Sequence, residues 1–234
     1  IIFIIIPSAY LILNGINITD LGNYEYIGTL NLGKFQLPFL ILATGLLINA
    51  TNYIDGVDGL LLTFFICCLG YYTYLIEEPN TIYLIKLLLV PVIFNLILNL
   101  LSTKIKFKFF SGNTGSLFIG FFVSFLTIEL YNSFEVHPVY LIWPLWYPVY
   151  DFLFVSTNRA ILKKSIFSAD NSHLHHKILI TFKKNHLKTI LLFFILNISI
   201  IYLGFLLSNF SKFLSLITFI FGFFFYFTMR FKFK

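Results

Sequence analysis

Residues 37–76 read LPFLILATGLLINATNYIDGVDGLLLTFFICCLGYYTYLI, two continuous apolar runs that meet at a short polar knot between Asn49 and Asp58. The runs do not alternate apolar with polar, as a barrel strand would, and each approaches the roughly 20 residues that a helix needs to cross a bilayer core. They predict two membrane helices, over 37–54 and 58–76, joined by a tight turn. Asn49, Asn52 and Asp55 follow one another at intervals of three and so share a helix face. Gly56 and Gly59 each follow an aspartate, which suits a helix end breaking into a turn with exposed backbone. A central aspartate in an apolar segment costs roughly 2.5–3.5 kcal/mol, so the knot is where function is expected. Its carboxylate and amide oxygens are of the type that holds Mg²⁺ or accepts from a nucleobase.

The same pattern extends outward. Apolar segments recur at 1–13, 81–101, 116–131, 138–157, 188–208 and 212–229, about eight in all. The expected fold is all-α, a polytopic transmembrane helical bundle, with 1–234 as a single membrane-embedded domain. Only 11% of residues are charged, 59% are hydrophobic and the mean hydropathy is +0.89, whereas soluble chains carry roughly 25% charge. Lipid is therefore part of the solvent, and no nucleic-acid partner is expected. Cys67 and Cys68 are adjacent in an apolar run and read as packing residues. The chain opens inside an apolar segment with no basic leader, so a longer protein with about three further helices upstream is expected.

Threading the segments alternately puts 55–57, 102–115, 158–187 and 230–234 on one side, which together with Lys188 at the loop edge carries thirteen of the sixteen Lys and Arg residues. The other side holds Asp20, Glu25, Glu77, Glu78 and Glu135, with Lys34 and Lys212. The basic side is expected to be cytoplasmic. For most of these cations, topology alone is a sufficient reading.

Three more polar constellations fall on that side. Phe110-Ser-Gly112-Asn113-Thr-Gly-Ser116 leads straight into an apolar helix. It presents backbone N–H groups to phosphate and an aromatic ring to a base, although ordinary capping also uses such residues. Asp151 and Arg159 lie a little over two helical turns apart, as a structural ion pair or a catalytic one. Asp170-Asn-Ser-His173-Leu-His175-His176-Lys177 sets three histidines in four residues, flanked by Asp and Lys. Zinc is one reading of these imidazoles, but no cysteine is at hand. Donors that meet phosphate oxygens as negative charge develops are the more natural one.

Taken in order, NATNYIDGVDGLL (49–61), SGNTGSLFIG (111–120), PLWYPVYDFLFVSTNRA (144–160) and SIFSADNSHLHHK (165–177) resemble the polyprenyl-phosphate N-acetylhexosamine-1-phosphate transferases. These are related to the phospho-N-acetylmuramoyl-pentapeptide transferases, and the His-Leu-His-His form resembles the branch using UDP-N-acetylglucosamine or a similar UDP-sugar. The resemblance implies an enzyme of the bacterial inner membrane with its site facing the cytoplasm, in loops 102–115 and 158–187. Such an enzyme takes UDP-N-acetylhexosamine and a polyprenyl (undecaprenyl) phosphate lipid, with Mg²⁺ (or Mn²⁺) as cofactor. It releases UMP and initiates a cell-envelope glycan; a homodimer is one assembly open to it.

By position, Asn52 and Asn113 resemble the metal ligands. Asp55, Asp58, His173, His175 and His176 resemble the catalytic centre. Asn49, Asn52, Asp58, Phe110, Gly112, Ser116, Asp151, Arg159, Asp170 and Lys177 resemble the substrate contacts, with Asp58 and Phe110 toward uracil. The family normally has Asp where this chain has Asn113, and an Asp-Asp pair expected to engage the lipid phosphate would lie upstream. An impaired homologue or partner subunit is therefore an alternative, and a transporter a weaker one.

Overall fold

The computed structural model describes residues 9–101, 112–163 and 173–232. Its long elements are helical. They are α1 (Gln36–Ile54), α2 (Leu60–Leu75), α3 (Pro79–Leu101), α4 (Gly112–Ser133), α5 (Pro138–Ile142), α6 (Trp146–Ile161), α7 (Leu174–Thr181), α8 (His186–Phe210) and α9 (Lys212–Lys232). The expected segment 1–13 lies largely outside the described residues; the other boundaries hold to within a few residues, because continuous apolar runs flanked by polar turns leave little choice of helix ends in lipid.

Among the described residues five helices are long and apolar enough to cross a membrane: Gly33–Ile54, Pro79–Leu100, Gly112–Ser133, His186–Phe210 and Lys212–Lys232. The expectation of about eight segments was an approximate count. Leu60–Leu75 is shorter, and the run from 138 is interrupted by a 3₁₀ turn at Trp143–Leu145, where Pro144 cannot donate to a helix ladder.

One feature departs from pure helix. The turn-rich stretch 14–36 contains a two-stranded antiparallel hairpin, β1 (Asp20–Tyr24) with β2 (Gly28–Asn31), pairing Tyr24 with Gly28 and Asn23 with Thr29. It closes one end of the bundle. Glu25 accepts from the backbone N–H groups of Lys212 and Phe213 at 2.9 and 2.8 Å, capping α9. Asp20 accepts from the Tyr131 hydroxyl at 2.8 Å, and His137 packs edge-on against Tyr24.

The packing that positions the opposite end is the contact between α1 and α4. A Cβ built on Gly120 would lie 2.7 Å from the Ile48 Cα, so the two backbones approach as closely as they do because that position is glycine. Thr51 donates across this seam to the Ser116 carbonyl at 3.1 Å. α2 packs chiefly against α3 and α8, in the core that holds Phe64, Leu69, Cys68 and Tyr72. By contrast, α9 is only partly enclosed: its buried residues are Ser215 and Arg230, with Phe219, Phe223 and Tyr226 half-buried against the core.

Candidate active site

The polar knot sits where α1 ends. Asp55 leaves helical geometry at the C-cap, and Gly59 has φ +79°, a left-handed conformation that glycine adopts without penalty. A Cβ at Gly59 would also meet the Leu96 and Ile190 side chains at 2.7 and 3.0 Å. Gly56 is glycine for a different reason: a Cβ there would lie 2.7 Å from the His176 ring and 3.2 Å from His175 Nε2. The turn and the histidine segment, 119 residues apart for Gly56 and His175, are thus in direct apposition.

The other motifs close on the same end. Asn52 donates to Ser116 Oγ at 2.8 Å and to Asn113 Oδ1 at 3.4 Å, which joins the first constellation to the second. The aromatic ring of Tyr53 stacks on Phe152 at 5.7 Å and lies 5.2 Å from His173. The Arg159 guanidinium stands 5.8 Å over the same ring. Asn49, one turn below Asn52, donates back to the Gly45 carbonyl at 2.7 Å, so it is part of the helix wall beneath the knot. Gly112 begins α4, and Lys177 lies one turn into α7. Phe110 and Asp170 fall outside the described residues.

Asp151 is the buried anchor of the histidine segment. Its Oδ2 accepts from His173 Nδ1 at 2.6 Å. Its Oδ1 accepts from the Leu174 backbone N–H at 3.1 Å and from the Tyr226 hydroxyl at 2.6 Å. Arg230 adds a cation at 3.8 Å. The expected pairing of Asp151 with Arg159 is therefore replaced. The carboxylate is held from α9, and Arg159 faces Tyr53, because a spacing of eight residues offsets the two side chains by over 10 Å along the axis. The carboxylate also caps the N-terminus of α7, where first-turn amides need acceptors.

His175 is fully buried. Its Nδ1 lies 2.7 Å from the Tyr147 hydroxyl, and its ring centroid is 4.4 Å from that of His176 and 5.4 Å from that of His173. Burial pushes the imidazole down to about 3 against the pull of Asp151, so His175 is neutral at physiological pH. Asp55 moves the other way: burial, and then the neighbouring Asp58 carboxylate, raises it to about 6. Asp58 receives a different partner, its backbone N–H donating to His186 Nδ1 at 3.2 Å. The same nitrogen stands 3.6 Å from Asp58 Oδ2, and the shorter contact makes it an acceptor.

Among the described residues no three His, Cys, Asp or Glu side chains gather as a cation cage. The hard-oxygen donors that do meet are the amides of Asn52 and Asn113. Asn113 Oδ1 stands 3.4 Å from Asn52 Nδ2 and Asp55 follows one turn on, and amide and carboxylate oxygens are the donor types that suit a hard divalent cation.

Four residues that sequence reasoning passed over belong to this network: Tyr147, His186, Tyr226 and Arg230. Arg230 read as a topology cation at the end of an apolar helix. The signal that marks it is Tyr226 four residues earlier, a second polar group on the same face of that helix.

The family model for glycosyl transferase family 4 matches residues 1–131. Over 168 residues the chain is 32% identical to a probable undecaprenyl-phosphate N-acetylglucosaminyl 1-phosphate transferase of Bacillus subtilis (strain 168), covering 71% of this chain and 46% of that protein. It is 27% identical over 180 residues to the undecaprenyl-phosphate alpha-N-acetylglucosaminyl 1-phosphate transferase of Yersinia pestis, covering 75% and 49%. With the protein of the same description from Escherichia coli (strain K12) the identity is 28% over 166 residues, covering 68% and 43%. The chain spans about half the length of these relatives.

Proposed function

The chain belongs to glycosyl transferase family 4, and from that membership we propose that the whole protein transfers N-acetylhexosamine 1-phosphate from a UDP-N-acetylhexosamine to a polyprenyl phosphate. The observation that carries this reading is the apposition at one end of the bundle: Asn52 on Asn113 and Ser116, and Gly56 under His175 and His176. The named activity of the relatives supports it.

In the proposed reaction an oxygen of the lipid phosphate bonds to the β-phosphorus of the UDP-sugar. The bond from that phosphorus to the bridging oxygen breaks, and UMP departs with the electron pair. Such a transfer needs little covalent help from the protein; alignment and compensation of charge do most of the work. Asn52 and Asn113 are the residues that would hold Mg²⁺. When bound, the ion supplies positive charge against the diphosphate. His175 and His176 face the turn as donors to phosphoryl oxygens, His173 is oriented by Asp151, and Asp58 is assigned to the uracil. The basic residues at this end support a cytoplasmic orientation.

An idle homologue is the weaker reading, because Asn113 keeps an oxygen beside Asn52. A transporter would spread its functional polar groups through the bilayer depth, whereas here the described motif residues meet at one end. The test is exchange of labelled UMP into UDP-N-acetylhexosamine by membranes containing the full-length protein. Mg²⁺-dependent exchange that is lost in Asn52→Ala and His175→Ala is expected, and no exchange under any divalent cation would defeat the proposal.

A further inference from the structure

Both ring nitrogens of His175 are in defined surroundings. Nδ1 faces the Tyr147 hydroxyl at 2.7 Å. Among the described residues Nε2 has no hydrogen-bond partner, and it lies over the Asp55–Gly56 turn. Tyr147 and His175 are both fully buried, so water does not arbitrate which atom carries the proton.

The phenol decides it. A hydroxyl has one proton to donate, and among the described residues Nδ1 is the acceptor its hydrogen bonds offer. A buried hydroxyl does not leave its proton unpaired, so the phenol donates to Nδ1, which leaves the ring proton on Nε2. His173 is held in the opposite sense, since its Nδ1 must carry the proton that Asp151 accepts. Two adjacent imidazoles are thus fixed by two different partners on α6, one turn apart.

We infer that Tyr147 is a positioning residue that locks His175 in the Nε2–H form, so that His175 serves the transfer as a hydrogen-bond donor to a phosphoryl oxygen and not as a proton acceptor. The catalytic half of this inference rests on the transferase reading; the tautomer does not. Position 147 lies four residues before Asp151, on the same face of α6, and is the only way that helix reaches His175 among the described hydrogen bonds.

The experiment has a spectroscopic arm and a kinetic arm. Full-length protein in detergent micelles, labelled with ¹⁵N-histidine, is compared with Tyr147→Phe, the His175 signals being identified by their loss in His175→Gln. Expected in the unmodified protein is a protonated Nε2 with an unprotonated Nδ1, and in Tyr147→Phe a mixture of both tautomers. A protonated Nδ1, or a spectrum that Tyr147→Phe leaves unaltered, overturns the inference. The phenyl ring keeps its packing on Phe193 and Trp146, and an unchanged thermal midpoint confirms that the variant folds.

In UMP exchange, Tyr147→Phe is expected to lower kcat about 10–100-fold with the KM for the UDP-sugar within about twofold. His175→Gln, which retains an N–H near the Nε2 position, should stay within about tenfold of the unmodified protein, whereas His175→Ala falls about 10²–10³-fold. Equal loss in the two His175 variants overturns the donor role. A fixed tautomer in a protein that shows no exchange would instead sink the transferase reading and leave the lock standing.

Discussion

Replacing Gly56 by alanine probes the apposition of turn and histidines with one methyl group. The backbone at Gly56 is not left-handed, so alanine fits it without strain. Restricting the unfolded chain at such a site stabilises by about 0.4–1 kcal/mol. The methyl group, however, would sit 2.7 Å from the His176 ring and 3.2 Å from His175 Nε2. Ordinary carbon contacts lie at roughly 3.5–4.0 Å, so His176 must retreat by about 1 Å. A misplacement of that size in a positioning-dependent reaction costs about 10²-fold in rate. Gly56→Ala is thus predicted to keep or slightly raise the thermal midpoint while lowering kcat for UMP exchange about a hundredfold. Retention of kcat within twofold would refute the claim that these histidines act at the turn. Parallel loss of stability and activity would show a structural role instead.

Tyr226→Phe removes a donor from the buried Asp151 carboxylate while keeping the ring against Tyr150 and Phe154. A loss of about 1.5–3 kcal/mol in denaturant unfolding is expected, and an unchanged midpoint would remove α9 from the anchor. Asp55 has a folded value of about 6, above the roughly 4 of an unfolded carboxyl. The stability linked to it is therefore complete below about pH 4 and lost as pH rises through 6. Asp55→Asn should raise the thermal midpoint of the ligand-free protein at pH 7.5, fade in effect as pH falls below 6, and abolish transfer; a lower midpoint at pH 7.5 contradicts the burial of that charge. Asn113→Asp should reduce the Mg²⁺ concentration that half-saturates exchange, since a carboxylate binds a hard cation more strongly than an amide. An unmoved half-saturation point would exclude residue 113 as a ligand.

The helices were legible because lipid imposes length and continuity on apolar sequence, and Gln36–Ile54 or His186–Phe210 leave no alternative. The hairpin over Asp20–Asn31 was not legible. Its turn residues mark only irregular chain, and what fixes it is tertiary: Tyr131, His137 and the N-terminus of α9. Within the site, the cost of polar groups in an apolar run marked the Asn49–Asp58 knot, whereas the pairing of Asn52 with Asn113 and the role of the histidines rested on the resemblance of the loop motifs to a family. The identity of Asp151's partners did not. Arg159 is closer in sequence, yet Tyr226 and Arg230 reach the carboxylate from a helix 75 residues away for Tyr226. Tyr147 was hidden by its type, since an aromatic residue among Trp146, Pro148 and Tyr150 reads as packing until the histidine beside it is seen.

The identity of the nucleotide released tests the central claim most directly. Purified full-length protein is incubated with sugar-labelled UDP-N-acetylhexosamine, a polyprenyl phosphate and Mg²⁺, and the products are separated into lipid and aqueous fractions. One UMP for each labelled sugar recovered in lipid is the predicted result, because phosphate travels with the sugar. Release of UDP in that proportion, or the absence of lipid-linked label with every divalent cation, would contradict the account.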